Sequence, residues 1–78
     1  MTYYSLFIKA RFSPEVIERI LRVTRHRGFE LCSLNMLTIN QLNSKEVALF
    51  LTVFSDRAIH LLYTQLNKLI DVEHIELR

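Results

Sequence analysis

Several residue types that stabilise small domains are scarce in this chain. Its 78 residues include one cysteine, one glycine, one proline and no tryptophan. The single cysteine, Cys32, excludes a disulfide within the chain, and the single glycine, Gly28, excludes a glycine-rich phosphate loop. No apolar run approaches the roughly 18–20 residues of a membrane-spanning helix. A chain of this length buries only about 60–65% of its unfolded surface, so we expect support from a second copy or a partner protein.

The residues that usually carry catalysis are also sparse and scattered. His26, His60 and His74 show no zinc-ligand spacing with Cys32, and no nucleophile elbow is present. Cys32 lies among apolar residues of a predicted strand, which predicts a buried structural cysteine. The N-terminus has no basic leader followed by an apolar run, so the sequence predicts a cytoplasmic protein. Because the candidate catalytic residues are scattered, the sequence also predicts that the chain is not an enzyme by itself.

Charge is unevenly distributed although the net charge is only +2. Residues 1–27 carry a net charge of +4 and residues 28–78 a net charge of −2. Most of the early positive charge falls on one predicted helix, which indicates either a solvated helix face or a contact with an anionic partner.

Hydrophobic periodicity predicts six elements. Residues 3–10 alternate as a strand, and a helix follows, with Ser13 as its N-cap and Pro14 in its first turn. Gly28 can close that helix in a left-handed conformation. Further strands are predicted over 29–39, 47–54 and 72–77, with a polar turn at 40–45 and a second helix that Ser55 caps.

The order β-α-β-β-α-β predicts an α+β, ferredoxin-like domain over residues 1–78, with two helices on one face of a four-stranded antiparallel sheet. The third strand is apolar on both faces, so one face should meet the helices and the other a second subunit or element. Pairing through sheet edges and packing of open sheet faces both remain possible.

With this order in place, the segment Arg-His-Arg-Gly-Phe-x-x-Cys-Ser-x-Asn-Met at 25–36 becomes informative. Together with residues 10–15, 18–29 and 65–74, it resembles the ACT-domain regulatory small subunits of acetolactate synthase, in particular the short isozyme II type. The resemblance spans nearly the whole chain.

The resemblance implies a non-catalytic subunit that activates a large catalytic subunit in valine, leucine and isoleucine biosynthesis. In that family the large subunit uses thiamine diphosphate, FAD and Mg²⁺, so no cofactor is expected in this chain. The resemblance also implies a homodimer formed through ACT domains. We expect the exposed basic residues of the first helix to contact the large subunit, namely Arg22, Arg25, His26 and Arg27.

Many members of this family bind valine at a loop with the pattern Asn-x-x-Gly, which falls on Phe12 and Glu15 here. Phe12 lacks the amide, and Glu15 adds a side chain and a negative charge where an effector carboxylate would approach. The effector-loop positions are Arg11, Phe12, Ser13, Pro14 and Glu15. Their departure from the family pattern predicts weak valine binding or none.

Two other functions are compatible with the element order. One is a stand-alone amino-acid-sensing ACT dimer, which the altered loop disfavours. The other is an RNA-recognition-like module, whose third strand would carry base-stacking rings. Phe7, Phe50 and Phe54 could supply rings, but the basic-Gly-aromatic motif is missing and the basic residues cluster on the first helix.

Overall fold

The structure is a computed structural model that describes residues 1–42 and 44–78. Its elements are β1 (Thr2–Arg11), α1 (Val16–His26), β2 (Glu30–Gln41), β3 (Ser44–Ser55), α2 (Ile59–Asn67) and β4 (Val72–Leu77). All strand pairs are antiparallel, and the sheet order is β2-β3-β1-β4. This confirms the predicted ferredoxin-like fold. Neither described helix is long and apolar enough to cross a membrane.

The core lies between the two helices and one face of the sheet. Alternate residues of the two central strands are buried there because successive strand side chains point to opposite faces. The helices contribute stripes at three- and four-residue spacing. The buried strand residues are Leu6, Ile8 and Ala10 of β1 and Val47, Leu49, Leu51 and Val53 of β3; the buried helix residues are Val16, Ile20, Thr24, Leu62 and Leu66.

The opposite face of the sheet, which we call the open face, carries an aromatic layer. The rings of Tyr3 and Phe54 have centroids 4.5 Å apart, and those of Phe7 and Phe50 are 5.0 Å apart. Each pair joins directly opposed residues of β1 and β3. The prediction that the third strand is apolar on both faces is therefore confirmed.

Both predicted serine N-caps are wrong. Helix α1 begins at Val16, and the Ser13 hydroxyl donates instead to Asp71 Oδ2 at 3.3 Å. Helix α2 begins at Ile59, four residues after Ser55. Ser55 ends β3, and its hydroxyl donates to the Gly28 carbonyl oxygen at 2.7 Å. In both cases the hydroxyl donates to a partner distant in sequence, and the helix has no side-chain hydrogen bond at its N-cap.

Strand β2 is longer than predicted and is interrupted near its start. Gln41 pairs with Ser44, so the strand runs two residues past Ile39 and the connection to β3 is short. Asn43 of the predicted turn lies outside the described residues. The β2–β3 register shifts between Leu31 and Ser33, which leaves Cys32 without a partner residue on β3. Cys32 is exposed, so its predicted burial is wrong.

The junction between α1 and β2 closes as predicted. Gly28 has a φ of +85°, in the left-handed region that favours glycine. Its N–H donates to the Arg25 carbonyl oxygen, and the next N–H, of Phe29, donates to that of Thr24. A Cβ on Gly28 would lie 2.7 Å from Arg57 Nε, so the arginine side chain occupies the space that the missing side chain leaves.

Replacing Gly28 by alanine is expected to destabilise the protein by about 1–2 kcal/mol through the left-handed φ alone. The contact with Arg57 should add to this loss, so G28A should cost less in an R57A background than in the wild type. Urea unfolding of the wild type, G28A, R57A and the double variant G28A/R57A measures both the backbone contribution and the contribution of the Arg57 contact. Equal stability of G28A and the wild type would contradict the backbone argument.

Candidate functional site at the two ends of helix α1

The effector-loop positions lie at the N-terminal end of α1 and are held by other elements. The Arg11 N–H donates to the Asp71 carbonyl oxygen at 2.8 Å, and the Phe12 N–H donates to that of Lys45 at 2.9 Å. The Phe12 side chain packs against the core, with Lys45 Nζ 4.2 Å from its ring centroid. The loop is therefore tied to the starts of β3 and β4.

Two carboxylates stand beside the first turn of α1. Arg19 lies between them, with Nη2 3.7 Å from Glu15 Oε2 and Nη1 3.3 Å from Asp71 Oδ2. Asp71 also accepts the Ser13 hydroxyl, and Pro14 is exposed. A helix N-terminus attracts anions through its free N–H groups. Here acidic side chains already supply that negative charge, which disfavours a further carboxylate.

The predicted partner-contact residues lie toward the other end of α1 and divide into two groups. All four are exposed. Arg22 and Arg25 line a cavity of about 360 Å³ together with Glu18 and Leu21. His26 and Arg27 face α2 instead and line a separate cavity of about 260 Å³. The structure therefore does not bring the four basic residues into one site.

The second cavity contains residues that sequence reasoning missed. Arg57, Leu61 and Gln65 complete its lining, and Arg27 Nη2 donates to Gln65 Oε1 at 3.2 Å. Arg57 could have been identified from its position directly after the third strand, in the connection that leads back to the helices. The predicted N-cap at Ser55 hid this position, because it placed Arg57 in the first turn of the second helix.

An apolar groove runs between α1 and the edge strand β2. It has a volume of about 510 Å³ and is lined by Leu21, Thr24, Arg25, Gly28, Phe29, Glu30 and Leu31. Leu31 is 39% exposed and Met36, farther along β2, is 51% exposed. Both pair with core-facing positions of β3, so they lie on the helical side of the sheet, where no helix covers them fully.

Potential metal-ligand side chains stay apart in the described part of the chain. No group of three or more His, Cys, Asp or Glu residues there could hold a metal ion. His60 is exposed on α2, and His74 Nε2 lies 3.7 Å from Glu76 Oε2 on β4. Cys32 Sγ contacts the Glu30 carbonyl oxygen at 3.7 Å.

The aromatic layer and the basic residues of α1 lie on opposite sides of the sheet. Arg78 does approach the rings, with Cζ 5.0 Å from the Phe7 centroid, but its guanidinium also pairs with Glu76 at 3.2 Å. Recognition of single-stranded RNA combines stacking rings with a positively charged track for the backbone. The separation of rings from the α1 cations does not favour that function.

A pair of carboxyl groups lies where β1, β3 and β4 meet. Glu46 Oε2 is 3.5 Å from Lys9 Nζ. A side-chain hydrogen bond with Glu46 raises the pKa of Glu73, and desolvation and repulsion by Glu46 raise it further, while Lys9 and Arg11 oppose the shift. Two carboxyl groups can share a hydrogen bond only while one of them keeps its proton.

The fold and these sites define a small ferredoxin-like α+β module, and comparison with known proteins gives its family. The family model described as "ACT domain" matches residues 13–75. The acetolactate synthase isozyme 2 small subunit of Escherichia coli K12 is 47% identical over 75 residues, which cover 96% of this chain and 84% of that protein. The chain therefore belongs to the ACT-domain family, in the group of acetolactate synthase small subunits.

Solved structures agree on the fold. The ACT domain from GTP pyrophosphokinase of Chlorobium tepidum matches with a TM-score of 0.78 at 14% identity, covering 97% of this chain and 96% of that one. The acetolactate synthase small subunit from Thermotoga maritima matches with a TM-score of 0.75 at 16% identity, covering 99% of this chain and 47% of that one. The predicted ACT fold and the predicted small-subunit family are both confirmed.

Replacing Glu73 by glutamine is expected to stabilise the protein at neutral pH more than at acidic pH. Because the folded-state pKa of Glu73 is raised, its contribution is complete below the unfolded-state pKa and is lost as the pH rises through the folded-state value. An amide donates to Glu46 without needing that proton. The urea midpoint of E73Q should therefore exceed that of the wild type by more at about pH 7 than at about pH 4.

Glu30→Gln is the matched control, since Glu30 is exposed at the start of β2, away from Glu46. The carboxyl-pair interpretation is wrong if E30Q and E73Q change the pH dependence equally.

Proposed function

We propose that this chain is the regulatory small subunit of an acetolactate synthase, a subunit without catalytic chemistry of its own. The 47% identity to the Escherichia coli isozyme 2 small subunit, along 96% of this chain, carries the proposal. Residues 1–78 then form one ACT domain. Thiamine diphosphate, FAD and Mg²⁺ belong to the large subunit, which condenses pyruvate with pyruvate or 2-oxobutyrate. The free thiol of Cys32 is compatible with the reducing cytoplasm.

Activation follows if the small subunit binds one state of the large subunit better than another. A ligand shifts a conformational equilibrium only by its differential affinity for the two states. We infer that the active, cofactor-ordered state of the large subunit is the one that this chain prefers. Arg22, Arg25, His26 and Arg27 are the proposed contacts, supported by their exposure and by the frequency of arginine at interfaces.

The homodimer is proposed to form through β2. This strand is twelve residues long and lies at the edge of the sheet, where its outer backbone groups can pair with a second strand. Exposed Leu31 and Met36 on its helical side would gain apolar contacts from a second α1. Sedimentation of the chain alone should accordingly give the mass of two chains.

Valine insensitivity is proposed from the environment of the effector loop. Glu15 and Asp71 place negative charge at the helix end where a valine carboxylate would bind, and Arg19 already pairs with both. The Phe12 side chain packs toward the core and is not free to contact an effector. These contacts support weak binding or none.

Reconstitution tests the proposed function. Purified large subunit, with its three cofactors, should form acetolactate from pyruvate severalfold faster when this chain is added. The R22E/R25E variant should require a higher concentration for the same rate, because an interface of opposite charge is disrupted. A folded wild-type chain that leaves the rate unchanged at every concentration would refute the regulatory role.

Valine should change neither the activated rate nor the heat signal in a calorimetric titration of the chain, alone or with its large subunit. The expected dissociation constant is larger than about 1 mM, which corresponds to a binding free energy of about −4 kcal/mol or less in magnitude. Micromolar affinity for the chain alone would overturn this prediction and would favour the stand-alone amino-acid-sensing dimer.

A further inference from the structure

A cationic pocket lies where the C-terminal end of α1 meets α2. We call it the Arg27–Arg57 pocket; its lining residues are His26, Arg27, Arg57, Leu61 and Gln65, around about 260 Å³. Two arginines and a histidine thus line one space, and no acidic residue contributes to this lining. Leu61, which is 44% exposed, adds an apolar wall.

The two arginines remain without a charged partner in the part of the chain that the structure describes. The ion pairs found there involve Lys9, Arg19, His74 and Arg78, and neither Arg27 nor Arg57. Arg27 donates to the neutral side-chain oxygen of Gln65, which orients the guanidinium without neutralising it. Asp56, next to Arg57 in sequence, is exposed and does not line the pocket.

Arg57 is positioned by contacts on both sides of its backbone. Its N–H donates to Ser55 Oγ at 3.1 Å, and its carbonyl oxygen accepts the Tyr4 hydroxyl at 3.3 Å. Its side chain lies across Gly28, in space that only a glycine leaves open. The backbone of Arg57 is thus held in place, so its side chain begins from a defined point at the edge of the pocket.

We propose that the Arg27–Arg57 pocket binds carboxylate side chains of an acidic segment on the large catalytic subunit. This inference rests on the proposed function, since it names the chemistry of that subunit's contact. A guanidinium binds a carboxylate through two parallel hydrogen bonds, and two arginines around one space accept a pair of acidic residues. Leu61 adds a place for an apolar side chain beside those acids.

A free oxyanion such as phosphate shares the same chemistry but fits this pocket less well. The pocket's cationic side chains are all exposed, so a small ion would exchange water contacts for a few solvent-screened ones. A protein segment adds apolar contact and excludes water around the charges, which strengthens each ion pair. The segment is therefore the occupant that the geometry favours.

The experiment measures activation of the purified large subunit by increasing concentrations of the small subunit. R57E should raise the concentration for half-maximal activation by at least about tenfold, the loss expected for a desolvated charge pair, while the maximal rate at saturation stays the same. R57K, which keeps the charge without the bidentate geometry, should be intermediate. Added salt should weaken activation by the wild type more than activation by R57E.

K45E is the matched control because it changes the net charge equally at the other end of α1, where Lys45 contacts Phe12. It should activate like the wild type. Circular dichroism melts show whether each variant is folded, and R57Q, which removes the charge without reversing it, replaces R57E if that variant unfolds.

Two results would overturn the proposal while leaving the regulatory role intact. One is equal half-maximal concentrations for the wild type, R57E and K45E. The other is thermal stabilisation of the wild type by inorganic phosphate, beyond that of chloride at equal ionic strength, that is absent in R57Q while R57Q activates normally. Failure of the wild type itself to activate would instead refute the proposed function.

Discussion

The hydrogen bond from the Ser55 hydroxyl to the Gly28 carbonyl oxygen links the two βαβ halves of this chain. It is 2.7 Å long, and Ser55 is only 2% exposed, so the hydroxyl has little access to water if the bond breaks. A buried group left without its partner costs about 1–3 kcal/mol. The same hydroxyl oxygen accepts a hydrogen bond from the Arg57 N–H. The Ser55 side chain therefore connects the end of β3 with the α1–β2 junction and with one side of the Arg27–Arg57 pocket.

The element order could be predicted because each element carries its own periodicity. Leu6, Ile8 and Ala10 alternate along β1, and Val16, Ile20 and Thr24 recur every four residues along α1. The helix starts could not, because a capping serine must place its oxygen near the free N–H groups of the first turn, and contacts distant in sequence decide where that oxygen lies. For Ser13 the distant contact is Asp71, fifty-eight positions away. The exposure of Cys32 was equally hidden, since the bulge beside it depends on pairing with β3.

Only those residues of the candidate site that lie on a single helix could be predicted from the sequence. Arg22, Arg25, His26 and Arg27 follow from the sequence of α1, whereas Arg57 comes from another connection and meets Arg27 only after folding. The fold also gives the two ends of α1 opposite chemistry. Glu15 and Asp71 lie at the end where a helix attracts anions. The basic residues lie at the C-terminal end, where a helix attracts cations. The partial charge at each end of the helix dipole is therefore balanced by nearby side chains of the opposite charge.

The irregularities in the two outer strands restrict what this small protein can join to. Strand β2 changes register beside Cys32, and the β1–β4 pairing shifts between Lys9 and Ala10. Open sheet edges invite further strands, and bulges and short edges prevent unlimited growth of a sheet. Strand β4 has only six residues, whereas β2 continues without interruption from Ser33 to Gln41. One edge can therefore accept a strand over a defined length while the other resists it, which favours closed assemblies over fibrous aggregates.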